Sequence, residues 1–425
     1  MRILHLSWEY PPLVYGGLGR HVHALAEAQA AAGHDVVVVT QHPGEVGLAL
    51  DEVVNGVRVV RAPHDSSEIT MSEDFLAWVI ALEHSMTRAG LALGRTWRPE
   101  VVHAHDWIVA HAAASLRQAF EVPIVATIHA TEAGRHQGWL PNHFSKAIHT
   151  VEWWLTYEAR RVVTCSQHMS WEVTRLFELP PGKVDVIANG IDLSEWTVSD
   201  AEVGEARARW GGDGPLVLFS GRLEWEKGVH TLVEAMPRLR RRFPGLRLVV
   251  VGKGSQQEAL ADLARRLRVS RSVVFTGWLT ETELMAVSAA ADVAVVPSVY
   301  EPFGLVALEA AALGTPLVVS DAGGLAEIVT NGETGLTFPA LDAAALADAV
   351  TEVLRSDVLA QRVVRQARAV LGRDHDWPTL AARTVATYEQ AVVEERELLA
   401  TTPYPYTQPR LAMVVRDGNL LRDAT

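Results

Sequence analysis

Thirteen short runs rich in β-branched and other apolar residues alternate with helix-patterned stretches through both halves of this chain. Runs separated in this way pair as parallel strands joined by helical crossovers, so α/β domains with parallel sheets are expected. In the first half the runs fall at 3–7, 36–40, 57–61, 101–104, 124–128, 161–165 and 184–187, and in the second at 216–220, 246–251, 273–276, 293–296, 316–320 and 335–338. Polar and glycine-rich residues, Gly211-Gly212-Asp213-Gly214-Pro215 among them, separate the two series. A chain of 425 residues is too long for one ordinary core and suits two domains of about 200 residues each. The expected organisation is an N-terminal domain over 1–195, a linker over 196–213 and a C-terminal domain over 214–376. A long helix over 377–400, with a proline in its first turn, and a flexible tail over 401–425 complete it. No short internal repeat is present.

Composition narrows the class. Hydrophobic residues make up 48% and charged residues 21%, the balance of a soluble globular enzyme. No segment reaches the roughly 18 apolar residues of a spanning helix. The opening Met1-Arg2-Ile3-Leu4-His5-Leu6 turns polar at Trp8-Glu9 before a signal-like run develops, so neither stable membrane insertion nor secretion is expected. The single cysteine, Cys165, excludes an intrachain disulfide and fits a reducing cytoplasm. A formal charge of −13 argues against nucleic acid as a partner, and an anionic small molecule would need a locally basic site. The oligomeric state stays open, a homo-oligomer included.

Several clusters carry candidate chemistry. Glu301-Pro302-Phe303-Gly304-Leu305 follows the apolar run ending at Ser298, and Glu309 lies further along the helix expected there. The carboxyl ends of parallel strands are where ligands bind, and a helix N-terminus offers N–H groups to a phosphate, here at Gly304 and Leu305. Glu301 is expected in the loop and Glu309 about two turns into the helix, so that they reach different parts of one elongated ligand. Gly16-Gly17-Leu18-Gly19 follows the first strand, where glycines let backbone N–H groups approach a phosphate or a sugar. The run is not G-x-G-x-x-G, because Val22 takes the last place, so a dinucleotide is not expected. Arg222 and Lys227 flank the start of the first C-terminal βα unit and offer a planar donor fork and a point charge; Gly252-Lys253-Gly254 ends the next strand. In His103-Ala104-His105-Asp106-Trp107 the alternation puts both histidines on one face and Asp106 on the other. No third ligand is set by spacing, so no metal is expected. His129 ends the next strand, Asn189-Gly190 reads as a turn, and Arg238 to Arg242 reads as a solvated helix face.

These clusters together resemble the signature of retaining nucleotide-sugar glycosyltransferases of family 4, which have the GT-B fold, and the resemblance covers the chain to about residue 400. Ser7-Trp8-Glu9-Tyr10-Pro11-Pro12, Gly16-Gly17-Leu18-Gly19-Arg20-His21 and Thr127-Ile128-His129-Ala130-Thr131-Glu132 are similar to the actinobacterial α-(1→4)-glucosyltransferases of glycogen and methylglucose lipopolysaccharide synthesis. The resemblance implies two Rossmann-like domains facing across a cleft, with the helix over 377–400 crossing back to the N-terminal domain. It implies that Gly16 and Gly17 face the diphosphate of the donor, that Arg222 and Lys227 neutralise it, and that Gly252 and Gly254 lie on the nucleotide side. It further implies that Phe303, Gly304 and Leu305 form the phosphate turn, that Glu301 holds sugar hydroxyls and Glu309 the ribose, that His129 touches the donor sugar, and that Asp106 lies near the acceptor or the reacting sugar. Relatives bind acceptor in the segment that holds Trp139, Trp153 and Trp154. Glycogen synthases usually carry a lysine just ahead of the glycine pair, where this chain has Val14 and Tyr15.

The implied reaction moves glucose from UDP-glucose or ADP-glucose to the 4-hydroxyl of an α-glucan or a related methylglucose polysaccharide, with retention and without a metal cofactor. One alternative changes the acceptor to glucose 1-phosphate. Another is a mannosyltransferase using GDP-mannose and a lipid, but residues 1–195 carry eight more acidic than basic side chains, which anionic lipid would repel. A catalytically silent binding protein is expected to lack the cationic pair or the carboxylate pair, and both are present.

Overall fold

The computed structural model describes residues 1–44, 46–63, 69–72 and 74–401, so the tail expected at the C-terminus falls outside the described residues beyond Thr401. The first sheet has eight strands: β1 (Arg2–Leu6), β2 (Asp35–Gln41), β3 (Asp51–Val54), β4 (Val57–Ala62), β5 (Val101–His105), β6 (Ile124–Ile128), β7 (Arg161–Thr164) and β8 (Val184–Val186). Their spatial order is β3-β4-β2-β1-β5-β6-β7-β8. The second sheet has six: β9 (Leu216–Ser220), β10 (Arg247–Val251), β11 (Val273–Gly277), β12 (Val293–Val296), β13 (Leu317–Ser320) and β14 (Leu336–Phe338), in the order β11-β10-β9-β12-β13-β14. Every pairing is parallel except β3 with β4.

That exception is a hairpin the apolar-run pattern does not predict. β3 is mostly exposed and pairs with β4 through Asn55 and Gly56, whose φ angles of 50° and 83° give the left-handed two-residue turn that matches strand twist. Most central strands are covered on both faces and read as apolar runs. β1 and β5 break the pattern by burying His5, His103 and His105 completely.

In each sheet the chain fills one side first and then returns to the other. From β1 it moves to β2 and β4, then back to β5; from β9 it moves to β10 and β11, then back to β12. The gaps outside the carboxyl ends of β1/β5 and β9/β12 are therefore switch points, where open α/β sheets place ligands. The loops carrying Gly16, Asp106, Arg222 and Glu301 leave the ends of these four strands.

The stretch between the sheets holds a helix, Asp200–Ala206, started by Ser199 and Glu202 in a capping box and prolonged by a wider turn over Arg207–Gly211. Ala206 enters the core made by Leu216, Val249, Ala286 and Val287, so this stretch packs on the second sheet. At the other end, the helix Trp377–Thr401 crosses back to the first sheet. Its Leu380, Val385, Tyr388 and Ala391 join Ile3, Val36, Val101 and Val125 in one core, and a fully buried leucine there contributes about 1.5–3 kcal/mol. Glu395 of the same helix takes Arg117 and Arg160 as partners.

The halves touch directly. Ser166 donates its hydroxyl to the Pro302 carbonyl at 2.7 Å, and Thr131 N–H donates to the Tyr300 hydroxyl at 3.2 Å. The Glu327 carboxylate accepts the N–H groups of Gln167 and His168, both at 2.8 Å, and so caps a helix of the opposite half.

Candidate active site

On the first sheet, the loop after β1 is organised by Glu9. This buried carboxylate accepts the N–H groups of Tyr15 at 2.8 Å and Gly16 at 3.0 Å, and burial pushes its pKa up. The Gly16 amide, expected at a diphosphate, is thus held by a carboxylate of its own loop. A Cβ on Gly17 would lie 2.7 Å from the Leu305 side chain of the opposite half, which would have to shift to admit it. Arg20, one turn into the helix Gly17–Ala31, forms an ion pair with Glu309 of the opposite half.

Asp106 follows β5 directly in a left-handed conformation, φ 61°. Its Oδ1 accepts the backbone N–H of His129 at 2.7 Å, while burial raises its pKa to about 7. His129 follows β6, and burial lowers its pKa to about 3. Behind it lies a polar cluster that the sequence reading did not assemble. His129 Nε2 meets His105 Nδ1 at 3.2 Å, His105 Nε2 meets His5 Nδ1 at 3.0 Å, and His5 Nε2 meets Gln29 Oε1 at 2.8 Å. Gln29 Nε2 donates to the Tyr388 hydroxyl at 3.1 Å, and His103 lies between Tyr388 at 2.6 Å and the Thr127 hydroxyl at 2.7 Å. His21 holds Asn189 Oδ1 at 2.8 Å through Nδ1, and its Nε2 is buried without a partner. The cue in the sequence was a histidine inside each of two apolar strand runs, His5 and His103, since a buried polar side chain needs a hydrogen-bond partner.

Two trios of these imidazoles, His5 with His103 and His105, and His21 with His105 and His129, have ring nitrogens within 4.8 Å of one another. In the first trio both nitrogens of each ring already have hydrogen-bond partners, so its donor set does not converge on an ion. In the second, His105 and His129 bond to each other, and two nitrogens have no partner among the described residues, His21 Nε2 and His129 Nδ1.

On the second sheet, Gly228 (φ 65°) shapes the site. A Cβ there would lie 1.8 Å from the Pro297 carbonyl oxygen, so only glycine lets the turn Trp225–Lys227 sit against the end of β12. Lys227 Nζ then reaches Glu301 at 2.8 Å, and the Ser298 hydroxyl donates to the same carboxylate at 2.9 Å. Arg222 pairs with Glu226 at 3.2 Å. Gly252 and Gly254 serve close loop packing, since a Cβ on them would lie 2.0 Å from the Gly221 carbonyl oxygen and 2.4 Å from that of Leu223. Phe303 is buried, and Gly304 (φ 116°) precedes the helix Leu305–Ala312, whose first N–H groups have no acceptor within the helix. Glu309 is the fifth residue of that helix, little more than one turn in. This corrects the expected two turns: Gly304 delays the helix start to Leu305.

A cavity of about 430 Å³ opens beside this wall, lined by Arg135 and His136 from the first half and by Arg222, Glu224, Trp225, Glu226, Ser255 and Gln256 from the second. Arg135 approaches Glu226 to 4.0 Å, so both guanidiniums share one carboxylate. The sequence reading named neither Arg135 nor Arg20 as a site residue; each becomes one only when the halves meet. Trp139 and Trp153 are exposed, and Trp154 packs against the core beside His111.

Two doubly wound sheets whose switch-point loops line one cleft, with a terminal helix crossing back, define the GT-B class of glycosyltransferase. The family pattern described as Glycosyltransferase Family 4 matches residues 15–195, and that described as Glycosyl transferases group 1 matches residues 204–370. A glycogen synthase of Mycobacterium tuberculosis is 50% identical, over 97% of this chain and 98% of the relative. An α-maltose-1-phosphate synthase of the same organism is 31% identical, over 92% and 99%. Among solved structures, a sucrose-phosphate synthase from Thermosynechococcus elongatus superposes with a TM-score of 0.78 at 27% identity, covering 92% of this chain and 99% of that one. The chain belongs to glycosyltransferase family 4 and is a nucleotide-sugar-dependent hexosyltransferase. Among the described residues no helix is long and apolar enough to cross a membrane.

Proposed function

We propose that this enzyme transfers glucose from UDP-glucose or ADP-glucose to the 4-hydroxyl of an α-glucan, or of a related methylglucose polysaccharide, with retention and without a metal cofactor, in the cytoplasm. The observation that carries the proposal is 50% identity with a glycogen synthase over nearly the whole of both chains. The geometry is compatible with it. Lys227 and Arg222 would exchange their carboxylates for the diphosphate of the donor and, with the N–H groups opening the helix Leu305–Ala312, stabilise the charge that develops on it. Glu301 would take sugar hydroxyls, and Glu309 the ribose once Arg20 releases it. His129 would orient the donor sugar beside Asp106. Glu301 is tied to Lys227 and Ser298, which suits hydroxyl binding rather than the nucleophile role of a hydrolytic carboxylate pair. The departing phosphate oxygen would then help take the proton of the acceptor hydroxyl.

A second acceptor is favoured by one feature. Arg135 and Arg222 line a single cavity with Glu224 and Glu226, and a phosphorylated acceptor such as glucose 1-phosphate would suit the two guanidiniums if it displaced Glu226 from them. The α-maltose-1-phosphate synthase at 31% identity supports the same alternative. A panel of radiolabelled UDP-, ADP- and GDP-sugars against glycogen, maltooligosaccharides and glucose 1-phosphate, with linkage analysis of the products, decides between them. Transfer from GDP-mannose alone would overturn both.

A further inference from the structure

We infer that the Gln29 carboxamide, acting through His5 and His105, sets the tautomer of His129, so that His129 turns an unprotonated Nδ1 toward the cleft. The argument is one of proton counting. Gln29 is fully buried on the helix Gly17–Ala31, with its nitrogen on the Tyr388 hydroxyl and its oxygen on His5 Nε2. A carboxamide oxygen only accepts, so His5 Nε2 carries the proton. A neutral imidazole has one N–H, which leaves His5 Nδ1 bare, and His105 Nε2 must donate to it across 3.0 Å. His105 Nδ1 is then bare in turn, and His129 Nε2 must donate to it across 3.2 Å. His129 Nδ1 is left as a lone pair. It has no hydrogen-bond partner among the described residues, and His129 is the one member of the five-histidine cluster that stays partly exposed. In the other direction, Tyr388 accepts from Gln29 and gives its own proton to His103 Nδ1, so His103 Nε2 donates to Thr127.

Neutrality, on which the count depends, follows from the surroundings. His5, His103 and His105 are completely buried, and burial depresses the pKa of all five imidazoles. If the carboxamide turned over, every donor and acceptor in the chain would exchange, and His129 would present Nδ1–H instead. His21 opposes that reversal. Its Nδ1 donates to Asn189 Oδ1, so its buried Nε2 is a bare lone pair, and its ring lies 4.8 Å from that of His129. A proton on His129 Nε2 suits this neighbour better than another lone pair.

The consequence for specificity rests on the proposed glucosyl transfer. A bare Nδ1 accepts a hydrogen bond, so the sugar group that meets His129 must be a hydroxyl, and a fluorine or hydrogen in its place loses the interaction. Gln29 and Tyr388 are positioning residues, and Tyr388 links the crossover helix to the cleft.

Neutron diffraction from crystals of the full chain locates the imidazole protons directly and needs no activity. The expected pattern is N–H at Nε2 of His5, His105 and His129, with bare Nδ1 on each; a proton on His129 Nδ1, or an ion among these rings, overturns the inference. Gln29→Met and Tyr388→Phe should each lower kcat on the order of 10-fold with KM nearly unchanged, with thermal melting followed alongside. Unchanged kcat in both folded variants also overturns it. The expected proton pattern in a protein that transfers no glucosyl group would leave the tautomer assignment standing and remove the proposed function instead.

Discussion

On the first sheet's side of the cleft, five imidazoles are held in hydrogen bonds and burial keeps them neutral, whereas on the second sheet's side Arg222 and Lys227 each hold a carboxylate. On the proposed function, the difference suits what each wall would meet. A neutral wall with fixed donors and acceptors suits sugar hydroxyls, which carry direction but no charge. A charged wall suits a diphosphate, and its carboxylates keep the cations paired and positioned until an anion replaces them. On the proposed function, a chain of net charge −13 would accommodate an anionic donor through basic groups gathered at one switch point, with Arg20 and Arg135 added from the opposite half.

The sharpest way to break the comparison is to remove a cation. Lys227→Ala and Arg222→Ala should each lower turnover on the order of 100-fold or more, because on the proposed function each would lose a preorganised charge facing the leaving diphosphate. Lys227→Ala should also lower stability by about 1–3 kcal/mol, since Glu301 is left without its ion partner. Near wild-type kinetics in both variants would remove the charged wall from the mechanism. Next in size, Glu301→Gln should reduce kcat roughly 10-fold with little change in UDP or ADP affinity, and Glu309→Gln should mainly weaken nucleotide affinity. Calorimetric titration beside steady-state kinetics reads both, and the opposite split would reverse the proposed orientation of the donor.

The neutral wall is tested by pH. The pKa of His129 is depressed from 6.5 to about 3, so its contribution to stability is present above pH 6.5 and is lost as pH falls toward 3. Asp106, raised from 3.8 to about 7, has the opposite sign: its contribution is present below pH 3.8 and drains as pH rises through 7. Asp106→Asn should therefore raise the melting temperature more at pH 8 than at pH 5, and His129→Gln should flatten the acid side of the profile. Parallel profiles for wild type and both variants would contradict the assigned burial. The smallest expected effect is none at all: activity should survive excess EDTA. Loss reversed by added magnesium or manganese would contradict a metal-free diphosphate site.

Much of the fold could be read along the chain because a strand in a parallel sheet, covered on both faces, needs an apolar run, and such runs stand out locally at 36–40, 124–128 and 246–251. β3 escaped because an exposed strand needs no such run, although Asn55-Gly56 is a hairpin signal in its own right. The glycines at 252, 254 and 304 were visible as residues, while the groups that crowd a Cβ there, the carbonyl oxygens of Gly221 and Leu223 and the side chain of Leu325, come from other segments of the chain. The linker region held a helix that its polar and glycine-rich residues concealed, yet Ser199 and Glu202 already spelled a capping box.

By itself, then, the sequence determined the alternation that builds two parallel sheets, and the identities of Asp106, His129, Arg222, Lys227, Glu301 and Glu309 at strand ends or in the segments that follow. Local patterns suffice for that, since strand burial and helix starts depend on near neighbours. Only the tertiary structure decided the partners. Arg20 meets Glu309 across 289 positions, and His5 reaches His105 across 100. Tyr388 reaches His103 across 285. A hydrogen bond or ion pair depends on distance in space, and that distance is set by sheet order, crossover handedness and domain contact rather than by separation along the chain.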